Sequence, residues 1–406
     1  MTMKPNESVS RNMSAGALGD FSLFVGGPLF QLLRRAHLAD DALHMVRQRV
    51  VVISLACWLP LLVLSAFEGH FFAGAGLPFL KDVGIHVRFL VALPLLIVAE
   101  LIVHQRMSLL VPQFLERDLI PKDASSRFEA AIVSALRLRN SVSAEILIIA
   151  AVYVVGILVV WRQYSAALEM ASWYAAPSEA GSKLSFAGLW LSYVSLPVFQ
   201  FVLLRWYFRL FIWTRFLWHI SRIDLNLVPT HPDRAGGMSF LSTAVYALVP
   251  VLLAHGAILA GHMADRIFFA GATLLDFKLE IVTLVVLLMC VVLGPLLLFV
   301  PQISGAKLAG LREYGALAQR YVRQFDSKWV RGSTASGEAP LLGSADIQSL
   351  ADLSNSFEIV KSMNLVPFTK ETVLQLGILT IVPIAPLVLT LIPLEELLKK
   401  LFSILL

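Results

Sequence analysis

Seven stretches of this chain are long, apolar and nearly free of charge: Val50 to Phe67, Phe89 to His104, Ile146 to Trp161, Leu184 to Leu204, Met238 to Gly261, Ile281 to Ser304 and Thr372 to Leu394. A helix needs about 20 apolar residues to cross roughly 30 Å of hydrocarbon. Five of the runs meet or approach that length outright, and the second and third reach it with flanking residues. In hydrocarbon every backbone amide and carbonyl must find its partner inside the protein, so runs of this kind can only become helices. The sequence therefore predicts an all-α integral membrane protein with about seven transmembrane helices. At 406 residues with 57% apolar and 15% charged side chains, it has the composition of no ordinary soluble domain.

Charge between the runs sets the orientation. With the N-terminus in the cytoplasm, 25 of the 33 lysines and arginines fall on the cytoplasmic side, the asymmetry expected of a membrane protein. This predicts an N-in, C-out topology. It also accounts for a pI near 9.2 without a nucleic-acid partner. Anionic lipids of the bilayer are the partners such a basic face implies. The two cysteines, Cys57 and Cys290, each lie in an apolar run and suggest neither a disulfide nor a metal framework.

Four regions follow. Residues 1–49 form an interfacial, amphipathic N-terminal segment, whose "FSLFVGGPLFQLLRR" is too short to span. Residues 50–304 hold six spans. Residues 305–371 make a cytoplasmic pair of helices with a Gly/Ser/Pro-containing linker, long helices that protrude from the bilayer and could support a homo-oligomer. Residues 372–406 hold the seventh span and a C-terminal amphipathic helix. Between spans two and three, Ser126 and Glu129 have capping-box spacing for a surface helix. The fourth run continues as "LLRWYFRLFIWTRFLWHISRIDL" without Gly or Pro, so one helix is expected from about Leu184 to Arg222, about 55 Å at 1.5 Å per residue. Arg205 and Arg209 share one arc of it, positioned to reach headgroups or an anion.

Two kinds of candidate site stand out. Ionisable groups within spans are costly, about 2.5 to 3.5 kcal/mol each at the bilayer centre. They are Glu100 with His104 one turn on, and His255, His262 and Asp265 along span five. The second candidate is "VPTHPDRAGGMSFL", where Pro229 and Pro232 must stop the preceding helix. Asp233 is placed to accept amides at the next helix start, and Gly236 and Gly237 permit close backbone approach. Arg234, with His231 at the edge, would complete a cytoplasm-facing pocket for a phosphate or carboxylate. No hydrolase, nucleotide-binding or zinc signature is present, and no metal or cofactor is expected.

Taken together, "FSLFVGGPLFQLLRR", "THPDRAGGMSFL", "EYGALAQRYVRQFDSKWVRG" and "IPLEELLKKL" resemble a group of uncharacterised bacterial multispanning membrane proteins. The resemblance implies a bacterial inner-membrane location and transfers no functional residue. Three functions are compatible with the pattern: a channel or transporter-like protein with an anion-favouring cytoplasmic mouth, a membrane scaffold or sensor that recruits a partner through its cytoplasmic helices, and an intramembrane enzyme acting on a lipid-linked substrate.

Overall fold

The computed structural model describes residues 45–72, 77–155, 172–178, 181–331 and 345–391. The expected interfacial segment before Met45, the end of the third run, most of the Gly/Ser linker and the C-terminal amphipathic helix lie outside them.

Among the described residues six helices are long and apolar enough to cross a membrane: α1 (Val46–Phe67), α2 (Val83–Glu116), α5 (Phe186–Ile220), α6 (Leu241–Ala270), α7 (Leu274–Val330) and α9 (Lys370–Leu391). The third apolar run appears as α4 (Val142–Val155), shorter than a full span over the residues described. The third run is described only as far as Val155, so the described residues hold six helices of spanning length and part of the seventh expected one. Between them lie the surface helix α3 (Ser125–Arg139), a short antiparallel hairpin of β1 (Ala175–Ser178) and β2 (Gly181–Leu184), and α8 (Ala345–Lys361). The protein is a multi-pass helical bundle. One end carries the hairpin and the other the loop of residues 221–240.

Prolines mark where the long helices change pitch, because each lacks the amide that would bond four residues back. Ahead of Pro94 the turn widens over Arg88–Ala92, with the Leu93 amide donating to the Arg88 carbonyl five residues back. Leu191–Ser195 does the same ahead of Pro197, where the Leu196 amide reaches Leu191. In α7 the chain tightens over Gly294–Phe299, bracketed by Pro295 and Pro301, and α9 ends in a tight segment containing Pro383 and Pro386. Such π and 3₁₀ adjustments keep freed carbonyls bonded.

α5 runs uninterrupted past its arginines as its sequence demanded, and α7, at 57 residues, is about 85 Å long. It projects well beyond a bilayer. There α8 packs against it: Lys328 Nζ and Trp329 Nε1 both donate to Asp346 Oδ2, at 2.9 and 3.0 Å, and Tyr321 donates to the Asp346 carbonyl.

α6 is the most enclosed spanning helix, with Val251, Leu252, Ala254, Ala257 and Met263 all buried. It touches α9 so closely that a Cβ on Gly256 would collide with the Thr380 carbonyl. Without a hydrophobic drive between helices in lipid, backbone approach through small residues supplies much of the packing attraction. At the hairpin end α2 starts on two carboxylates. Asp82 caps its Ile85 amide and accepts from Trp173 Nε1, while Asp265 of α6 accepts from the Val83 and Gly84 amides at 2.8 and 3.0 Å.

One local expectation is corrected. α3 starts at Ser125 on an Ala124 cap with no side-chain cap bond, because a tight turn over Lys122–Ala124 feeds it directly. Ser126 and Glu129 thus fall inside the helix and form no capping box, while Phe128 and Ile132 are buried as the periodicity requires.

Candidate functional site

Four helices bring a charged cluster together. Arg49 lies in the first turn of α1, Glu100 about 26 Å along α2 from Val83, Glu145 in the first turn of α4, and Arg205 and Arg209 one turn apart on α5. Arg209 Nη1 donates to Glu100 Oε1 at 2.7 Å. On the other oxygen, Arg49 Nη2 sits 2.9 Å from Oε2, and Arg205 Nη1 is 3.6 Å from Oε1. Arg205 Nη2 is in turn 3.9 Å from Glu145 Oε1. All of these side chains are buried or nearly so, Arg49 leaving only 3% of its surface exposed.

Three guanidinium groups thus converge on one carboxylate, with a second carboxylate at longer range. Among the described residues these five side chains carry one more positive charge than negative. Burying an ion costs several kcal/mol unless it is paired and hydrogen-bonded, and Arg49 meets that condition poorly. Its contact with Glu100 lacks hydrogen-bond alignment, and its Nε has no acceptor among the described residues. The surroundings are shaped to hold the arginines. Arg209 lies over the Trp206 ring, 5.4 Å from its centroid, and Trp206 Nε1 donates to the Leu96 carbonyl of α2 at 2.9 Å. A buried excess of guanidinium is suited to a phosphate, carboxylate or halide, since Arg presents a fixed fork of donors to such groups.

The other expected residues go to separate places. Arg205 and Arg209 do not splay toward headgroups; both are inside the bundle. His104, one turn beyond Glu100, is half-buried. His255 donates through Nδ1 to the Val251 carbonyl at 2.7 Å, which leaves Nε2 to accept from the Tyr207 hydroxyl at 2.6 Å. His262 is exposed, and Asp265 holds the start of α2. The structure does not bring the three span-five residues together. Among the described residues no group of three or more His, Cys, Asp or Glu side chains is placed to hold a metal.

In the 221–240 loop Asp233 accepts from three amides: Ala235 at 2.8 Å and Gly237 at 3.1 Å through Oδ1, and Ser239 at 3.0 Å through Oδ2. Partial burial pushes the Asp233 carboxyl up, but these amides more than offset it and hold the group below the usual carboxylate range. His231 Nδ1 lies 2.9 Å from Asp233 Oδ1. The Gly237 amide is therefore engaged by the chain's own aspartate. Arg234 is exposed with φ of 53°, and its carbonyl accepts from the Asn364 amide at 2.7 Å.

Gly236 and Gly237 also have positive φ, and both are buried, Gly236 beneath Leu227 and Met363 and Gly237 against Leu119. Further ties run to this loop from Gln302 of α7, whose amide donates to the Ser221 and Ile223 carbonyls, and from Arg117, which donates to the Gly237 carbonyl. The glycines allow a tight turn that is stitched to three neighbouring elements.

Arg49 is the member that the sequence hides. It sits at a span boundary, where a basic residue reads as an orientation signal. The only clue was indirect, in that a carboxylate inside a span demands partners. Comparison with known protein families, with characterised proteins and with solved structures finds no match for the chain.

Proposed function

We propose that this multi-pass protein spans the bacterial inner membrane seven times, N-terminus inside and C-terminus outside, and works as a channel or transporter-like protein for anions. The observation that carries the reading is the buried excess of guanidinium at Arg49, Arg205 and Arg209 around Glu100. In a low-dielectric interior such an excess attracts a compensating anion and disfavours cations. Purified protein in vesicles should pass chloride or phosphate faster than empty vesicles, with potassium and proton flux unchanged. Arg49→Gln removes the excess charge and should lower anion flux about tenfold, the worth of one charge-assisted bond. Folded protein that passes every anion no faster than empty vesicles defeats the reading.

A second reading is supported by a different feature. The projecting part of α7 and its partner α8 expose Leu308, Leu317, Val322 and Ile347. As a scaffold, or as the contact of a homo-oligomer, this pair would recruit a protein surface. Replacing Leu308 and Leu317 with Ser should then change assembly size in detergent and leave flux unaltered.

A further inference from the structure

Between α1, α4 and α5 lies an apolar groove of about 500 Å³, lined by Val52, Ala56 and Cys57, by Ile149 and Tyr153, and by Phe201 among others. About one helical turn beyond each wall of this groove, outside its lining, stands a charged member of the cluster. Arg49 is three residues before Val52 on α1, Glu145 is four before Ile149 on α4, and Arg205 is four after Phe201 on α5. Residues three and four apart share a helix face. The groove therefore runs along three helices, with the arginines one turn beyond its end. Along α5 it extends from Trp190 to Val202, about 18 Å. That is close to the roughly 15 Å depth of hydrocarbon in one leaflet.

We infer that this groove and the adjoining guanidinium groups together form a binding site for one anionic phospholipid, with an acyl chain in the groove and the headgroup phosphate on Arg205 and Arg49. The inference rests on the proposed anion-handling cluster and names the ligand that reaches it from the membrane. Charge complementarity decides the occupant. A zwitterionic lipid or an apolar helix would fill the groove equally well but would leave the excess positive charge and the Arg49 Nε without an anion. Among the described residues Glu100 and Glu145 are the acidic groups that face these arginines. Glu145 stands 3.9 Å and Glu100 3.6 Å from Arg205, both longer than a charge-assisted hydrogen bond, so neither holds that guanidinium as closely as a phosphate would. The groove's mouth is open to lipid through the exposed Val52, Ala56 and Tyr153.

Native mass spectrometry of the full chain, taken from nanodiscs of phosphatidylglycerol or of phosphatidylcholine, tests this. Expected is one phosphatidylglycerol retained per chain, with thermal stabilisation over phosphatidylcholine. Ala56→Trp, which fills the groove away from the charges, should lose the retained lipid while keeping a cooperative melt. Glu145→Gln should strengthen retention, and Arg205→Gln should weaken it about tenfold. Ala56→Trp guards against the chance that Arg205→Gln simply fails to fold.

Equal retention of the two lipids overturns the site, as does retention of phosphatidylglycerol that Ala56→Trp leaves unchanged. Stabilisation by inorganic phosphate alone, equal to that by phosphatidylglycerol, would show a free anion as the ligand and also overturn it. Anion flux is measured separately on the same variants. Absence of anion flux in the parent protein with lipid retention intact counts against the transport reading only, and normal flux in Ala56→Trp without retained lipid supports both readings.

Discussion

Replacing Glu100 with Gln leaves the shape of the cluster almost unchanged and removes its central negative charge. At an effective dielectric of about 20, the 2.7 Å contact with Arg209 corresponds to about 6 kcal/mol of attraction, that with Arg49 at 2.9 Å to about 6, and that with Arg205 at 3.6 Å to about 5. Desolvation and repulsion among the three arginines offset most of this. What remains for removal of one partner from a buried ion pair is about 3 to 5 kcal/mol, because the remaining charges stay buried and uncompensated. Unfolding in mixed micelles with increasing sodium dodecyl sulfate, followed by the fluorescence of the eight tryptophans, reads the loss directly. The double variant with Arg209→Gln should recover part of it, giving a coupling energy above about 1 kcal/mol. If Glu100→Gln unfolded within about 0.5 kcal/mol of the parent, and Arg209→Gln did too, the cluster would not be a buried electrostatic unit.

Three further outcomes follow from the packing and the loop. Gly256→Ala drives a methyl into the Thr380 carbonyl of α9 and should destabilise the bundle by about 2 kcal/mol in the same micelle assay, as overpacking does; an unchanged midpoint would mean that α6 and α9 are not in backbone contact. Asp233→Ala removes the acceptor for Ala235, Gly237 and Ser239 and should cost about 1 to 2 kcal/mol. Because the Asp233 pKa is held below its unfolded value, its contribution is fully present above about pH 4 and is lost as pH falls through the lower folded value; parent and variant melting curves should therefore converge in acid and separate above that pH. Arg234→Gly relieves a left-handed backbone conformation and should raise stability by about 1 kcal/mol, which a lowered midpoint would contradict.

The sequence by itself determined what the membrane demands locally. A run such as Leu196 to Leu204 has one solution in hydrocarbon, a helix that satisfies its own backbone, and this needs no knowledge of a neighbour. The uninterrupted course of α5 past Arg205 is likewise legible, since neither Gly nor Pro interrupts the run. The role of Asp233 as an amide acceptor was also within reach, because all its partners lie within six residues.

Only the tertiary structure decided which faces meet. Periodicity places Arg205 and Arg209 on one arc of α5 but says nothing of how that arc is rotated against α1, α2 and α4, so the same arginines fit the headgroup region as well as the bundle interior. Arg49 and Glu100 lie 51 positions apart, and the Tyr207–His255 bond spans 48. The side-chain contacts that fix these rotations arise only after each helix has formed. The charge excess at Glu100 depends on those contacts because it is a property of four helices packed together, and no single helix holds it.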